Sequence, residues 1–246
     1  MKTTIVKSDW IQNEGHRLDC GPYIGGAIEI KYELESLKGK SPKLKEVVAS
    51  RFGGIYHAGR YKRLWLNDEA YGVPFLSSRD VMQSDLSKLN LIATKSIVDN
   101  PKLLVHRDQI LITRSGTIGR LSYANSVMEG MSCTEHVIKV EADSEIIQSG
   151  YLYAFLNTHY GVPLIVAGTY GAVVRHIEPE HIADMPIPRL GSKVENAADR
   201  LIKASAVLRS EFQTKIDEAT ALFFKAAGLK DITPNEWHSK RADVGY

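Results

Sequence analysis

The sequence predicts a mixed α/β (α+β) fold, a globular domain followed by one long helix. Three stretches carry that prediction. Ile110-Leu111-Ile112 and Leu121 to Ala124 read as strands on either side of a glycine-punctuated turn. Cys133 to Val140 (CTEHVIKV) alternates as a further strand. From Lys193 onward, Val194, Ala198, Leu201, Ser205, Leu208, Phe212, Ile216, Ala219 and Phe223 recur at steps of three and four without a proline between them. We divide the chain into a globular unit over residues 1–190, a helix over 191–228 and a tail over 229–246.

Composition bounds the class. The chain has 246 residues, 43% hydrophobic and 24% charged, ordinary for a globular protein. No apolar run approaches the roughly 20 residues that span a bilayer, and MKTTIVKSDW lacks an apolar signal core. Membrane association is therefore not expected. Cys20 and Cys133 fit no metal spacing and read as reduced thiols of a cytoplasmic protein. A formal net charge of +2 is too small to establish a nucleic-acid partner, so DNA binding needs its cations gathered on one face.

In chain order, Ser8 to Tyr23 is polar and turn-rich. Ile24 to Leu37 carries helical spacing and ends near Gly39, and Ser41-Pro42 opens a short element with Leu44, Val47 and Val48. Arg51 to Trp65 (RFGGIYHAGRYKRLW) interleaves Arg51, Arg60, Lys62 and Arg63 with Phe52, Tyr56, His57, Tyr61 and Trp65. Cations among aromatics suit contact with a nucleic-acid backbone and packing on a sugar or base. A loop whose aromatics plug a core edge explains the same composition. Pro74 to Leu76 reads as a strand delivering Ser77, Ser78, Arg79 and Asp80 to its end, where Ser and Arg suit phosphates and base edges. Ser78 or Asp80 would equally cap a helix from Val81 to Leu86.

Between the two strands of the hairpin lies Thr113-Arg114-Ser115-Gly116-Thr117-Ile118-Gly119-Arg120. The glycines permit positive φ and close approach of a ligand, and the guanidiniums and hydroxyls match phosphates or base edges. A surface hairpin with solvated arginines is the alternative. His136 beside Glu135 has no further acid–base partner nearby in sequence, and a lone strand histidine is usually structural. Gly150 to Asn157 reads as a helix stopped at Tyr160-Gly161. Thr169 to Ile177 (TYGAVVRHI) forms a second polar glycine unit, with Thr169 and Tyr170 in its turn and Arg175 after it. Glu178 to Pro188 reads as extended, its prolines opposing a helix. The last helix is predicted at about 30 residues, roughly 45 Å. Its stripe favours pairing with another long helix over folding back on its own domain, and Gly228 caps it. The end of the chain, with Glu236-Trp237 and then Arg241-Ala242-Asp243-Val244-Gly245-Tyr246, echoes Asp9-Trp10 and Arg17-Leu18-Asp19-Cys20-Gly21 with Tyr23. That echo suggests one half of a tandem arrangement.

No Walker loop, dinucleotide GxGxxG, HExxH, CxxC, nucleophile elbow or nuclease-type carboxylate–lysine set is present in the sequence. We therefore expect a binding role, without catalytic residue, metal or cofactor.

ILITRSGTIGRLSYAN, EHVIKV, YLYAFLNTHYG, TYGAVVRHIEPEHIADMPIP and the long helix, in that order, resemble the target recognition domain of type I restriction-modification specificity subunits (the HsdS family) from Lys43 to Phe224. Such subunits generally carry two recognition domains and two long helices, and this chain has one of each. The resemblance implies recognition of one half of a split double-stranded DNA target. Arg114, Ser115, Gly116, Thr117 and Arg120 would line the groove. Arg60, Lys62, Arg63, Ser77, Ser78, Arg79, Thr169, Tyr170 and Arg175 would add contacts. Leu201, Leu208, Phe212, Ile216 and Phe223 would pair the helix with a second specificity half or a second copy. Modification methyltransferase subunits, and through them a restriction subunit, would dock on it and supply the chemistry. Two alternatives stand beside this: an enzyme acting on nucleic acid around Glu135, His136, Asp143 or His176, and a coiled-coil adaptor.

Overall fold

The computed structural model describes residues 3–13, 16, 18, 20–37, 39, 41–169 and 176–229. The helices among them are α1 (Ser8–Asn13), α2 (Gly21–Ile24), α3 (Ala27–Ser36), α4 (Thr94–Asp99), α5 (Ser149–Leu156), α6 (Gly161–Ala167), α7 (Pro179–Ala183) and α8 (Ser192–Ala227). The strands are β1 (Ile55–Tyr56), β2 (Trp65–Leu66), β3 (Gly72–Leu76), β4 (Asn90–Ala93), β5 (Ile110–Thr113), β6 (Leu121–Tyr123), β7 (Ser132–Cys133) and β8 (Val137–Val140). They form two four-stranded sheets, ordered β1-β8-β5-β6 and β2-β4-β3-β7. The first is antiparallel throughout, and in the second β3 and β7 run parallel.

The run Ile110-Leu111-Ile112 is apolar throughout because β5 is covered on both faces. Ile110 and Ile112 pack with Ile138 and Val140 against Leu152, Phe155 and Leu156 of α5 and Leu164 and Ile165 of α6. Leu111 and Val137 face the other way, onto Leu76 and Cys133 of the second sheet and Met128. Lys139 shares that face and is fully buried. Its Nζ donates to the carbonyls of Lys102 at 2.5 Å and Leu103 at 3.2 Å. Burial pushes its ammonium down to about 8.

The hairpin, the β3 strand and the α5 helix form as the sequence predicts. Four local readings are corrected. The CTEHVIKV strand is two strands: β7 lies in one sheet and β8 in the other, with Thr134–His136 crossing between them. The helix expected over Val81 to Leu86 is a single 3-10 turn at Asp80–Met82, with Asp80 Oδ2 accepting from the Ser77 N–H at 2.9 Å. Gly161 starts α6 as well as following α5, because a Cβ there would stand 2.5 Å from the Leu156 carbonyl oxygen. Pro179 does not keep its segment extended; it opens α7 at the first turn, where a helix needs no N–H from it.

Helix α8 has 36 residues, about 54 Å. Gly228 ends it at φ 64°, with its N–H on the Lys225 carbonyl at 3.4 Å. Its N-terminal half lies against α5.

Candidate nucleic-acid interface

The tip of the β5–β6 hairpin is held by backbone and side-chain bonds that leave part of it outside. Thr113 Oγ1 donates to the Thr117 carbonyl at 2.5 Å and accepts from the Arg120 N–H at 3.1 Å. Gly116 and Gly119 both have positive φ, 73° and 78°. Gly119 lies so close to α6 that a Cβ would stand 2.9 Å from Val166 Cγ2. Gly116, Thr117 and Arg120 are exposed, and Ser115 is half-buried.

Arg114 does not line this surface, which corrects its place among the groove residues. Its side chain is only 10% exposed and pairs with Glu178 Oε1. Its Nε donates to the Ile177 carbonyl at 3.0 Å and its Nη1 to the Glu135 carbonyl at 3.5 Å. The backbone repeats the link: the Arg114 N–H donates to the His136 carbonyl at 2.9 Å, and the Ile177 N–H to the Arg114 carbonyl at 3.0 Å. A guanidinium whose donors are spent inside the protein cannot fork onto a base pair.

Glu178 also receives the basic-aromatic loop. His57 Nε2 lies 3.1 Å from Glu178 Oε2, and His57 Nδ1 accepts the Gly59 N–H at 3.0 Å. A ring whose Nδ1 is an acceptor carries its proton on Nε2, the atom that faces the carboxylate. Burial, and then the Arg114 charge, lower the His57 pKa below the usual histidine range. Farther along, Arg63 Nη2 donates to both Glu135 oxygens, at 2.9 and 2.8 Å, and its guanidinium lies over the Phe75 ring at 5.3 Å. Burial alone would raise the Glu135 carboxyl, but the Arg63 bonds outweigh it and hold the carboxyl below the usual range. Arg63 is thus largely committed to Glu135. Ser115 Oγ and His136 Nδ1 are hydrogen-bonded at 2.7 Å.

These links gather the separate stretches. The Thr134 N–H donates to the Leu76 carbonyl at 3.0 Å, which puts Ser77, Ser78 and Arg79 beside the crossover. Arg120 follows the same row of the first sheet, since Thr113 pairs with Val137 and Ile112 with both Leu121 and Ile138. Arg60, Lys62, Arg79 and Arg120 are exposed, and among the described residues their side chains have no anionic partner. Tyr170 and Arg175 lie outside the described residues. The segment that contains them leaves from Thr169, whose N–H bonds the Val166 carbonyl at 3.0 Å, and returns at His176, which forms an antiparallel bridge with Ser115. His176 thus lies against Ser115 of the first glycine unit. Asp143 is elsewhere: its N–H bonds the Val47 carbonyl at 3.0 Å, past the far end of β8, so it does not join Glu135 and His136.

Helix α8 shows two faces. At about 100° per residue, buried Glu195, Asp199 and Gln213 fall on one arc with half-buried Ile202 and Ala206. Val194, Leu201, Leu208, Phe212, Leu222 and Phe223 are exposed and fall on another arc, roughly 140° away. Leu201 and Leu208 are 71% and 64% exposed, while Ile216 is half-buried. The inner arc mixes Ile202 and Ala206, packed on the core, with polar anchors. Glu195, 4% exposed, accepts from Arg189 at 3.0 and 2.8 Å and from the N–H groups of Leu190 and Gly191. Asp199 accepts the Gly150 N–H at the start of α5 at 2.9 Å, and Gln213 Oε1 accepts the Leu86 N–H at 2.7 Å.

His57 and Glu178 join this site without being marked by the local sequence pattern, and Glu195, Asp199 and Gln213 act as anchors. Glu178 meets partners 64 and 121 positions away, a juxtaposition that no local pattern announces. Three acceptors on one arc of a long helix were a readable signal.

No protein-family model matches the chain, and no curated protein matches it. Solved structures do. The chain is similar to a type I restriction-modification S subunit from M. genitalium, at 11% identity and a TM-score of 0.46 over 73% of this chain and 41% of that one. It is also similar to a chain of a type I restriction-modification assembly, solved for its assembly and conformational transition, at 14% identity and a TM-score of 0.48 over 84% and 54%. A third is the HsdS subunit from Thermoanaerobacter tengcongensis, at 12% identity and a TM-score of 0.43 over 78% and 45%. The chain spans about half the length of these structures. Among the described residues, no helix is long and apolar enough to cross a membrane.

Proposed function

We propose that this chain is a DNA sequence-recognition subunit of a type I restriction-modification system. Residues 1–190 bind one half of a bipartite duplex target. The outer seam of α8 pairs with a second specificity half or a second copy, and methyltransferase subunits dock on the assembly, with a restriction subunit joining through them. Methylation and cleavage belong to those partners. One observation carries the reading: Arg60, Lys62, Arg79 and Arg120, from three stretches that the Arg63–Glu135, Thr134–Leu76 and Arg114–His136 bonds tie to the crossover, are exposed cations without anionic partners among the described residues. The sequence resemblance and the uncovered apolar seam support it. Lys and Arg on such a surface release counterions from phosphates, and Arg120 has the geometry to fork onto guanine.

Selection from a random duplex library by the purified chain, followed by binding titrations at several salt concentrations, tests this. Enrichment of a short half-site is expected, with affinity that falls steeply with salt. Arg120→Ala should cost about 1–3 kcal/mol of discrimination at one base pair. Binding that is absent at low salt, with no enriched sequence, sinks the reading. The Ser115–His136 bond, 2.7 Å long, favours a second reading as a nucleic-acid hydrolase. Plasmid cleavage by the chain alone, lost in Ser115→Ala, would establish that one instead.

A further inference from the structure

We propose that His136 itself touches the duplex, donating from Nε2 to an acceptor on the DNA, a phosphate oxygen or a purine N7. The proposal rests on the DNA-binding reading above and assigns a residue to it.

The imidazole sits where the chain crosses from one sheet to the other. Its backbone is fixed by the Arg114 N–H on its carbonyl at 2.9 Å. Its ring is fixed by Ser115 Oγ on Nδ1 at 2.7 Å. The side chain is nevertheless 43% exposed, against 13% for neighbouring Glu135 and 10% for Arg114. Nδ1 is thus occupied inside the tip and Nε2 is turned outward. Glu135 Oε1 lies 3.6 Å from Nε2, within ion-pair reach but too far for a hydrogen bond. Glu135 is already engaged by Arg63 on both oxygens and by Thr134 Oγ1 at 3.2 Å. The ring thus has a fixed orientation, one inward bond and a second nitrogen free to donate, beside the crossover to which the Lys62, Arg79 and Arg120 stretches are tied.

Charged and titratable groups stand around it. Glu135 is the carboxylate beside the ring, 3.6 Å from Nε2. Arg63 and Arg114 stand behind it but are spent on Glu135 and Glu178. His176 lies across the bridge with Ser115. When His136 takes up a proton, Nδ1–H donates to Ser115 Oγ, and Nε2–H becomes a charge-assisted donor to the duplex. A protonated ring therefore makes the stronger contact with the duplex.

The test titrates the whole chain with a fluorescent, mixed-sequence duplex at constant ionic strength between about pH 7.5 and about pH 5.5. His136→Gln, which retains a side-chain partner for Ser115, runs in parallel. Over that range the native chain should tighten at least about threefold more than the variant. By NMR on the unmutated chain, the His136 Cε1–H titration midpoint should move to higher pH when the duplex is added. For a phosphate acceptor, the slope of log affinity against log salt steepens by about one at low pH in the native chain alone. For a purine N7 the slope holds, and the gain falls on particular sequences. Equal pH responses in both proteins, with a midpoint that DNA leaves unmoved, overturn the assignment while DNA binding stands. Absence of binding by both proteins at every pH overturns the underlying reading and this assignment with it.

Discussion

The hairpin tip and the long helix solve the same problem with opposite materials. At the tip, Arg114 is drawn inward onto Glu178, and Arg120, six residues later in the same turn, stays in water. On α8, Glu195 is drawn inward onto Arg189, and Leu201, six residues later, stays in water. In each region a committed ion pair fixes the backbone, so the side chains beyond it are presented rather than packed. The tip presents cations and hydroxyls, suited to a polyanion. The helix presents an apolar stripe, suited to another protein. Residue type alone therefore does not tell whether a side chain is an anchor or a contact; its partner does.

The sharpest way to break this comparison is to remove the tip anchor. Arg114→Ala takes the guanidinium from Glu178, which keeps His57, and from the Ile177 and Glu135 carbonyls, and a loss of about 2–4 kcal/mol in urea unfolding is expected, with DNA binding lost alongside. A change below about 1 kcal/mol would mean that the pair is a surface contact and that the tip has no such anchor.

Glu195→Gln should follow, at about 1–3 kcal/mol, since the amide oxygen retains one bond to the Leu190 or Gly191 N–H but loses the charge facing Arg189. The pH dependence sharpens the point. The hydrogen bond from Arg189 comes first among the causes holding the Glu195 carboxyl below its ordinary value, against burial and with help from the two N–H groups. A carboxylate with a depressed folded pKa adds stability that is present above its unfolded value and is lost as pH falls through the folded one. The native chain should therefore lose more stability than Glu195→Gln on acidification below about pH 4. Parallel acid profiles would remove Glu195 from the anchors.

The smallest stability effects belong to the presented residues. Arg120→Ala and the pair Leu208→Ser with Phe212→Ser should each stay within about 0.5 kcal/mol of the native chain. Their functional effects should separate. The first weakens DNA binding and leaves self-association or capture of a second specificity half intact; the second does the reverse, as sedimentation and binding titrations would read. If both variants lost the same function, the division between the two regions would fail.

Much of this was legible in advance. Alternating and continuous apolar runs locate β3, the β5–β6 hairpin and α5, because burial of apolar surface is a local demand on composition. The step of three and four located α8 and marked Leu201, Leu208, Phe212 and Phe223 as one stripe, and Gly228 its end. The glycine turn and the basic loop were visible as chemistry. What the sequence by itself determined, then, was β3, the β5–β6 hairpin, α5 and α8, and which segments carry charge.

Only the tertiary structure decided which charges are spent. Arg114 and Arg120 look alike in TRSGTIGR, and they part because Glu178, far along the chain, reaches only the first. The split of CTEHVIKV between two sheets, the inward turn of Glu195, Asp199 and Gln213, and the meeting of the two glycine units at Ser115 and His176 are of the same kind. Each depends on a partner distant in sequence, and an electrostatic or hydrogen-bonding preference has no period along the chain from which that partner could be read.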